Sequence, residues 1–113
     1  MSRRLKRHAN TLRYLSKCDR NAANAIIKNG KPDFINCFSE MCDNVLRENV
    51  KLSNSHKRKL SKYKNYIRQL SKKSTSQSSK KRILQRGGFL GALISPLLRE
   101  VIGPIVSSFL TNG

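Results

Sequence analysis

The chain has no tryptophan, and its 113 residues include only three tyrosines and four phenylalanines. That is too few for the aromatic stacking platforms that read single-stranded or RNA ligands, and Tyr63 and Tyr66 do not make one by themselves. Cysteine is sparse as well: Cys18, Cys37 and Cys42 are odd in number, and none belongs to a Cys-x-x-Cys pair. That pattern argues against a disulfide framework and a zinc site, and buried reduced thiols in an intracellular compartment are expected. Cys37 and Cys42 are poorly spaced to share a metal on a helix, and His8 and His56 lie far from them. No metal or cofactor is expected. No apolar run follows Arg3, Arg4, Lys6 and Arg7, so these do not open a secretory signal. Neither a Ser/His/Asp nor a metal-ligand cluster converges, and an enzyme is not expected. No internal repeat and no strand-like alternation are present.

Negative charge is the most unevenly distributed shortage. Six Asp/Glu stand against 24 Lys/Arg, giving a formal net charge of +18. No acid occurs between Glu48 and Glu100. Residues 1–17 hold six bases and no acid, residues 18–50 five acids against four bases, and residues 51–86 thirteen bases and no acid. Residues 87–113 carry only Arg99 and Glu100, so the whole surplus precedes them. A pI near 10.7 points to an anionic partner. Charge spread over most of a chain fits nucleic acid better than the short polybasic cluster of a membrane anchor.

Apolar spacing predicts helices. Leu5, Ala9, Leu12 and Leu15 recur at intervals of three and four within residues 3–17. Asp19 caps a short helix carrying Ala22, Ala23, Ile26 and Ile27, closed by Asn29-Gly30. Pro32 suits a first helical turn and Asp33 the positive end of its dipole. Phe34, Ile35, Phe38, Met41, Cys42, Val45 and Leu46 form the broadest stripe. Ser53 is expected to cap a last helix with Leu60, Tyr63, Ile67 and Leu70 on one seam. Residues 71–82 contain no apolar side chain and are expected to be a flexible linker. The fold class that follows is all-α: a small helical bundle over residues 1–71, a basic linker over 72–86, and a Gly-Gly hinge with an apolar helical tail over 87–113.

The candidate phosphate contacts are Arg3, Arg4, Lys6 and Arg7 in the first basic block. In the second they are Lys57, Arg58, Lys59, Lys62, Lys64, Arg68, Lys72, Lys73, Lys80, Lys81, Arg82 and Arg86. Arg58 with Lys62, and Lys59 with Lys62, are helical neighbours of like charge, each pair costing about 0.2–0.5 kcal/mol without counter-anions. Solvated helix faces ordinarily mix both signs; this one does not. With no zinc-finger or RNA-reading motif present, binding should rest on phosphate neutralisation without sequence readout.

Residues 89–110 are apolar apart from Arg99-Glu100, with prolines at 96 and 104. The central ion pair and the two prolines argue against a simple spanning helix. A membrane-surface segment, a self-association helix, a peptide docked in a larger assembly, and a final helix completing the core all remain open. The contact candidates are Phe89, Leu90, Leu93, Ile94, Leu97, Leu98, Val101, Ile102 and Ile105.

Arg86-Gly87-Gly88-Phe89-Leu90, the aliphatic run after it, and Ile102-Gly103-Pro104-Ile105-Val106-Ser107 resemble the carboxyl-terminal part of the precursor of adenoviral core protein X (mu), a family also found in adenovirus-like Polinton and adintovirus elements. The resemblance covers about a sixth of the chain. It implies a non-enzymatic virion core protein, located in the virion core and host nucleus, whose basic segment condenses viral double-stranded DNA. It also implies cleavage by a viral cysteine protease at Gly87-Gly88, although a flexible hinge explains that pair equally well. The family's basic part is short and arginine-rich, whereas this one is longer and rich in lysine. Gln85 stands where the protease prefers an aliphatic residue. Capsid proteins or a membrane are the expected partners of the tail. The charge makes copies of the chain repel one another, but a homo-oligomer or a bound partner would help stabilise so small a domain. The alternative function is a membrane-active protein whose tail inserts while its basic part holds anionic headgroups.

Overall fold

Side chains close the helix starts where the sequence places them. The Asp19 carboxylate accepts from the Ala22 amide at 2.8 Å, and the Ser53 hydroxyl accepts from the His56 amide at 3.2 Å. Pro32 occupies the first turn of the longest helix. The computed structural model describes residues 3–49, 52–86 and 88–97. Among these the chain is all-helical, with α1 (Arg3–Arg7), α2 (Ala9–Leu15), α3 (Arg20–Lys28), α4 (Pro32–Leu46), α5 (Asn54–Ser61), α6 (Lys64–Ser71), α7 (Gln77–Leu84) and α8 (Phe89–Leu97).

Helix α4 is the axis of the core. It buries Phe34, Ile35, Cys37, Phe38, Met41 and Cys42, and α6 lies along it while α1 and α7 flank it. Leu5, Ala9, Leu12 and Leu15 are all buried on α1 and α2. His8, at φ −106° and ψ 10°, separates those two helices. The ladder still crosses the break, because the His8 amide donates to the Arg4 carbonyl and the Leu12 amide to the His8 carbonyl. Cys37 and Cys42 are buried and free, whereas Cys18 is only half-buried. Burial pushes the Cys37 thiol up to about 12, with Asp33 and Glu40 adding to it. Burial alone raises Cys42.

Three expectations are corrected. The single helix expected after Ser53 is two helices, broken at Lys62-Tyr63, where Tyr63 adopts φ −111° and ψ 21°. The break turns the chain so that α5 packs on α8 while α6 runs along α4.

The basic linker expected over 72–86 instead contains α7. The apolar-free window ends one residue before Ile83 and Leu84, and both of these reach the core. Ser76 caps the helix by accepting from the Ser79 amide. Gln77 Nε2 and Lys80 Nζ both donate to Asn36 Oδ1 at 3.0 Å, tying α7 to α4.

The start of the apolar tail belongs to the same core. Phe89, Leu93 and Ile94 are buried and Leu90 is half-buried. A radius of gyration of 13.2 Å, against about 13 Å for a compact chain of 100 residues, leaves no room for α7 and α8 to stand apart. Among the open readings of the tail, the final core helix therefore holds for Phe89–Ile94. Leu97 ends α8, and Gly87, Leu98, Val101, Ile102 and Ile105 lie outside the described residues.

Gly88 sits at φ +81°, and a Cβ there would meet the Tyr63 hydroxyl at 3.0 Å. It makes the turn into α8 in the left-handed conformation that favours glycine. Gly88→Ala should destabilise the fold by about 1–2 kcal/mol from the left-handed backbone alone. Urea denaturation checks this, and an unchanged midpoint would contradict the turn.

Candidate nucleic-acid interface

Helices α5 and α6 and the turn after them carry cations and no acid of their own. The acids nearest them come from α4 and its end: Glu48 lines a groove with Lys57 and Lys64, and Glu40 and Asp43 line a cleft with Lys72 and Lys73. Leu60, Ile67 and Leu70 point inward and are buried. Lys57, Arg58, Lys59, Lys62, Lys64, Arg68, Lys72 and Lys73 are all exposed. Among the described residues none of these eight takes part in an ion pair. Arg58 and Lys59 lie in the last turn of α5 and Arg68 in that of α6, where the helix dipole favours positive charge. The backbone thus supports a cluster that mutual repulsion opposes.

Tyr63 and Tyr66 are not free to stack on bases. Their rings stack on each other at 6.3 Å, and both contact Phe89, at 5.3 and 5.6 Å. The Arg86 guanidinium lies 5.8 Å from the Tyr66 ring centroid while its residue stays exposed.

The first basic block is partly spent inside the protein. Asp33 receives Arg4 Nε at 3.2 Å, Arg7 Nη1 at 2.7 Å and His8 Nε2 at 2.8 Å, clamping α1 and the His8 junction to α4. Arg3 and Lys6 remain exposed. Sequence reasoning left Arg13 and Lys17 out of the candidate contacts, yet both are exposed in the same acid-free block; the one-signed charge was the signal for them.

The clamp predicts a pH response. The hydrogen bond from His8, followed by those from Arg4 and Arg7, lowers the Asp33 pKa from 3.8 to about 2. A carboxylate depressed in the folded state stabilises fully above its unfolded pKa and loses that contribution as pH falls through the folded value. The Asp33 contribution should therefore disappear between pH 3.8 and about 2. In an acid titration followed by circular dichroism, Asp33→Asn should remove this step and leave unfolding nearly flat across that window.

The α7 candidates divide. Arg82 is exposed. Lys81 Nζ donates to the Lys28 carbonyl at 2.9 Å. Lys80 is corrected as a surface contact, because only 5% of it is exposed. Its burial has no sequence signal, since Lys80 and Lys81 look alike until the helix phase is known. A cleft of about 760 Å³ lies above it, lined by α4 and the Ser71–Gln77 connection. Arg4 of the first basic block meets Lys72, Lys73 and Lys80 of the second along its walls.

Among the described residues no group of three or more His, Cys, Asp or Glu is placed to hold a metal, and no helix is long and apolar enough to cross a membrane. Comparison with known proteins finds no matching family model, curated protein or solved structure. The functional reading therefore stands on this chain's own geometry and charge.

Proposed function

We propose that this protein binds nucleic acid without sequence preference and condenses double-stranded DNA by neutralising its phosphates. The observation that carries the reading is the cation set of α5, α6 and the turn after them: eight exposed side chains that, among the described residues, take part in no ion pair, held on a folded scaffold. Phosphates laid along these helices relieve the like-charge repulsion between helical neighbours and release condensed counterions. Tyr63 and Tyr66 are packed on Phe89 and the exposed Tyr14 stands by itself, which favours backbone contacts over sequence readout. A virion core role, with capsid proteins as further partners, rests on the resemblance of residues 86–107 alone. The membrane-active alternative loses support from the burial of Phe89, Leu93 and Ile94, since those side chains cannot enter a bilayer while the globule is intact.

Gel-shift competition among unrelated duplexes of equal length tests the reading. Equal competition is expected. A preferred sequence, or no shift at low salt, would overturn it.

A further inference from the structure

We propose that the cleft between α4 and the α6–α7 connection is an oxyanion site, taking hydrogen phosphate or a phosphomonoester on Lys80. Lys80 is the charged side chain buried among the described residues, at 5% exposure. An ammonium has three donors. Here Asn36 Oδ1 takes one, at 3.0 Å, and among the described residues no carboxylate forms an ion pair with the group. Desolvation, then the nearby Arg4 guanidinium, lowers the Lys80 pKa. A bound anion would oppose both effects.

The remaining polar groups fit a particular anion. Ser39 is among the residues lining the same cleft, and its hydroxyl oxygen is buried and without a hydrogen-bond partner, so an anion reaches it by a small local opening of the cleft wall. Gln77 Oε1 is likewise buried and unpartnered there, while its amide nitrogen is held by Asn36. Lys80 and Ser39 supply donors, and Gln77 supplies an acceptor. Sulfate offers no proton to that acceptor, nor does a phosphodiester of a DNA backbone. A phosphate that keeps one P–OH offers both, and near pH 6 a monoester does so in a large fraction of molecules. Glu40 and Asp43 also line the cleft, but Asp43 is held by Arg47 at 3.0 Å. With Arg4 held by Asp33 and Arg47 by Asp43, Lys72, Lys73 and Lys80 against Glu40 leave the walls positive.

This site does not depend on the nucleic-acid reading, and a chain that ignored DNA would leave it standing. Thermal unfolding of the full chain at about pH 6 tests it, with phosphate, sulfate and chloride at matched ionic strength. Sulfate is the necessary control because both oxyanions stabilise proteins by exclusion from their surfaces. Phosphate at roughly ten times its Kd should raise Tm by about 5–10 °C beyond sulfate. Ser39→Ala should shrink that increment without lowering the anion-free Tm, since the hydroxyl has no partner to lose, and Lys80→Met should abolish it. If Lys80→Met fails to fold, Ser39→Ala decides. A larger shift with glycerol phosphate than with inorganic phosphate assigns the site to a monoester, and a smaller one assigns it to the free ion. Equal shifts with phosphate and sulfate, or a full phosphate increment in both variants, would overturn the site.

Discussion

Replacing Lys57, Arg58, Lys59, Lys62, Lys64 and Arg68 with glutamine should lower affinity for duplex DNA by roughly a thousandfold or more near 0.1 M salt. The dependence of log K on log salt should flatten with it, from a slope of about −7 to about −2, because each phosphate contact contributes about −0.9. All six side chains are exposed and, among the described residues, bear no ion pair. Relief of repulsion therefore offsets the helix-dipole support lost at Arg58, Lys59 and Arg68, and stability should change by no more than about 1 kcal/mol. Fluorescence anisotropy with a labelled duplex measures the affinity, and circular dichroism confirms the fold. The same number of substitutions at Arg4, Arg7, Lys80, Lys81 and their neighbours should act differently. Those groups hold Asp33, Asn36 and the Lys28 carbonyl, so stability would fall along with binding.

Phe89→Ala should be the most damaging single substitution at the junction with the tail. The ring is fully buried against Tyr63 and Tyr66. Truncating such a phenylalanine costs about 3–5 kcal/mol, a large part of the 5–15 kcal/mol that holds a small domain together. Tm should fall by more than about 10 °C, whereas Phe89→Leu should recover much of it. Ending the chain after Gly88 removes Phe89, Leu93 and Ile94 together, all buried, and should abolish cooperative unfolding. Cleavage at Gly87-Gly88, which the mu-precursor resemblance implies, would therefore act on the core itself. A chain ending at Gly88 that melts as sharply as the full one would contradict the placement of α8.

The helical class, the Asp19 and Ser53 caps and the stripe on α4 were legible because each is set locally, by spacing or by a side chain within three residues of its amide. What escaped was decided at long range. Tyr63 breaks the last predicted helix because α5 and α6 answer to different neighbours, α8 and α4, which periodicity does not encode. Helix α7 was hidden by its composition: two apolar side chains at its end and one amide acceptor, Asn36, 41 residues upstream of Gln77 supply what the segment lacks. The acid-free stretch was plain from composition. The division of its cations between surface and interior, with Lys80 inward and Arg82 outward, needed the helix phase.

The salt dependence of duplex affinity for the intact chain tests the central claim most directly. Eight surface cations without an ion pair among the described residues predict a log–log slope near −7, the same for unrelated sequences. A slope close to zero, or one that changes with the sequence of the duplex, would contradict it.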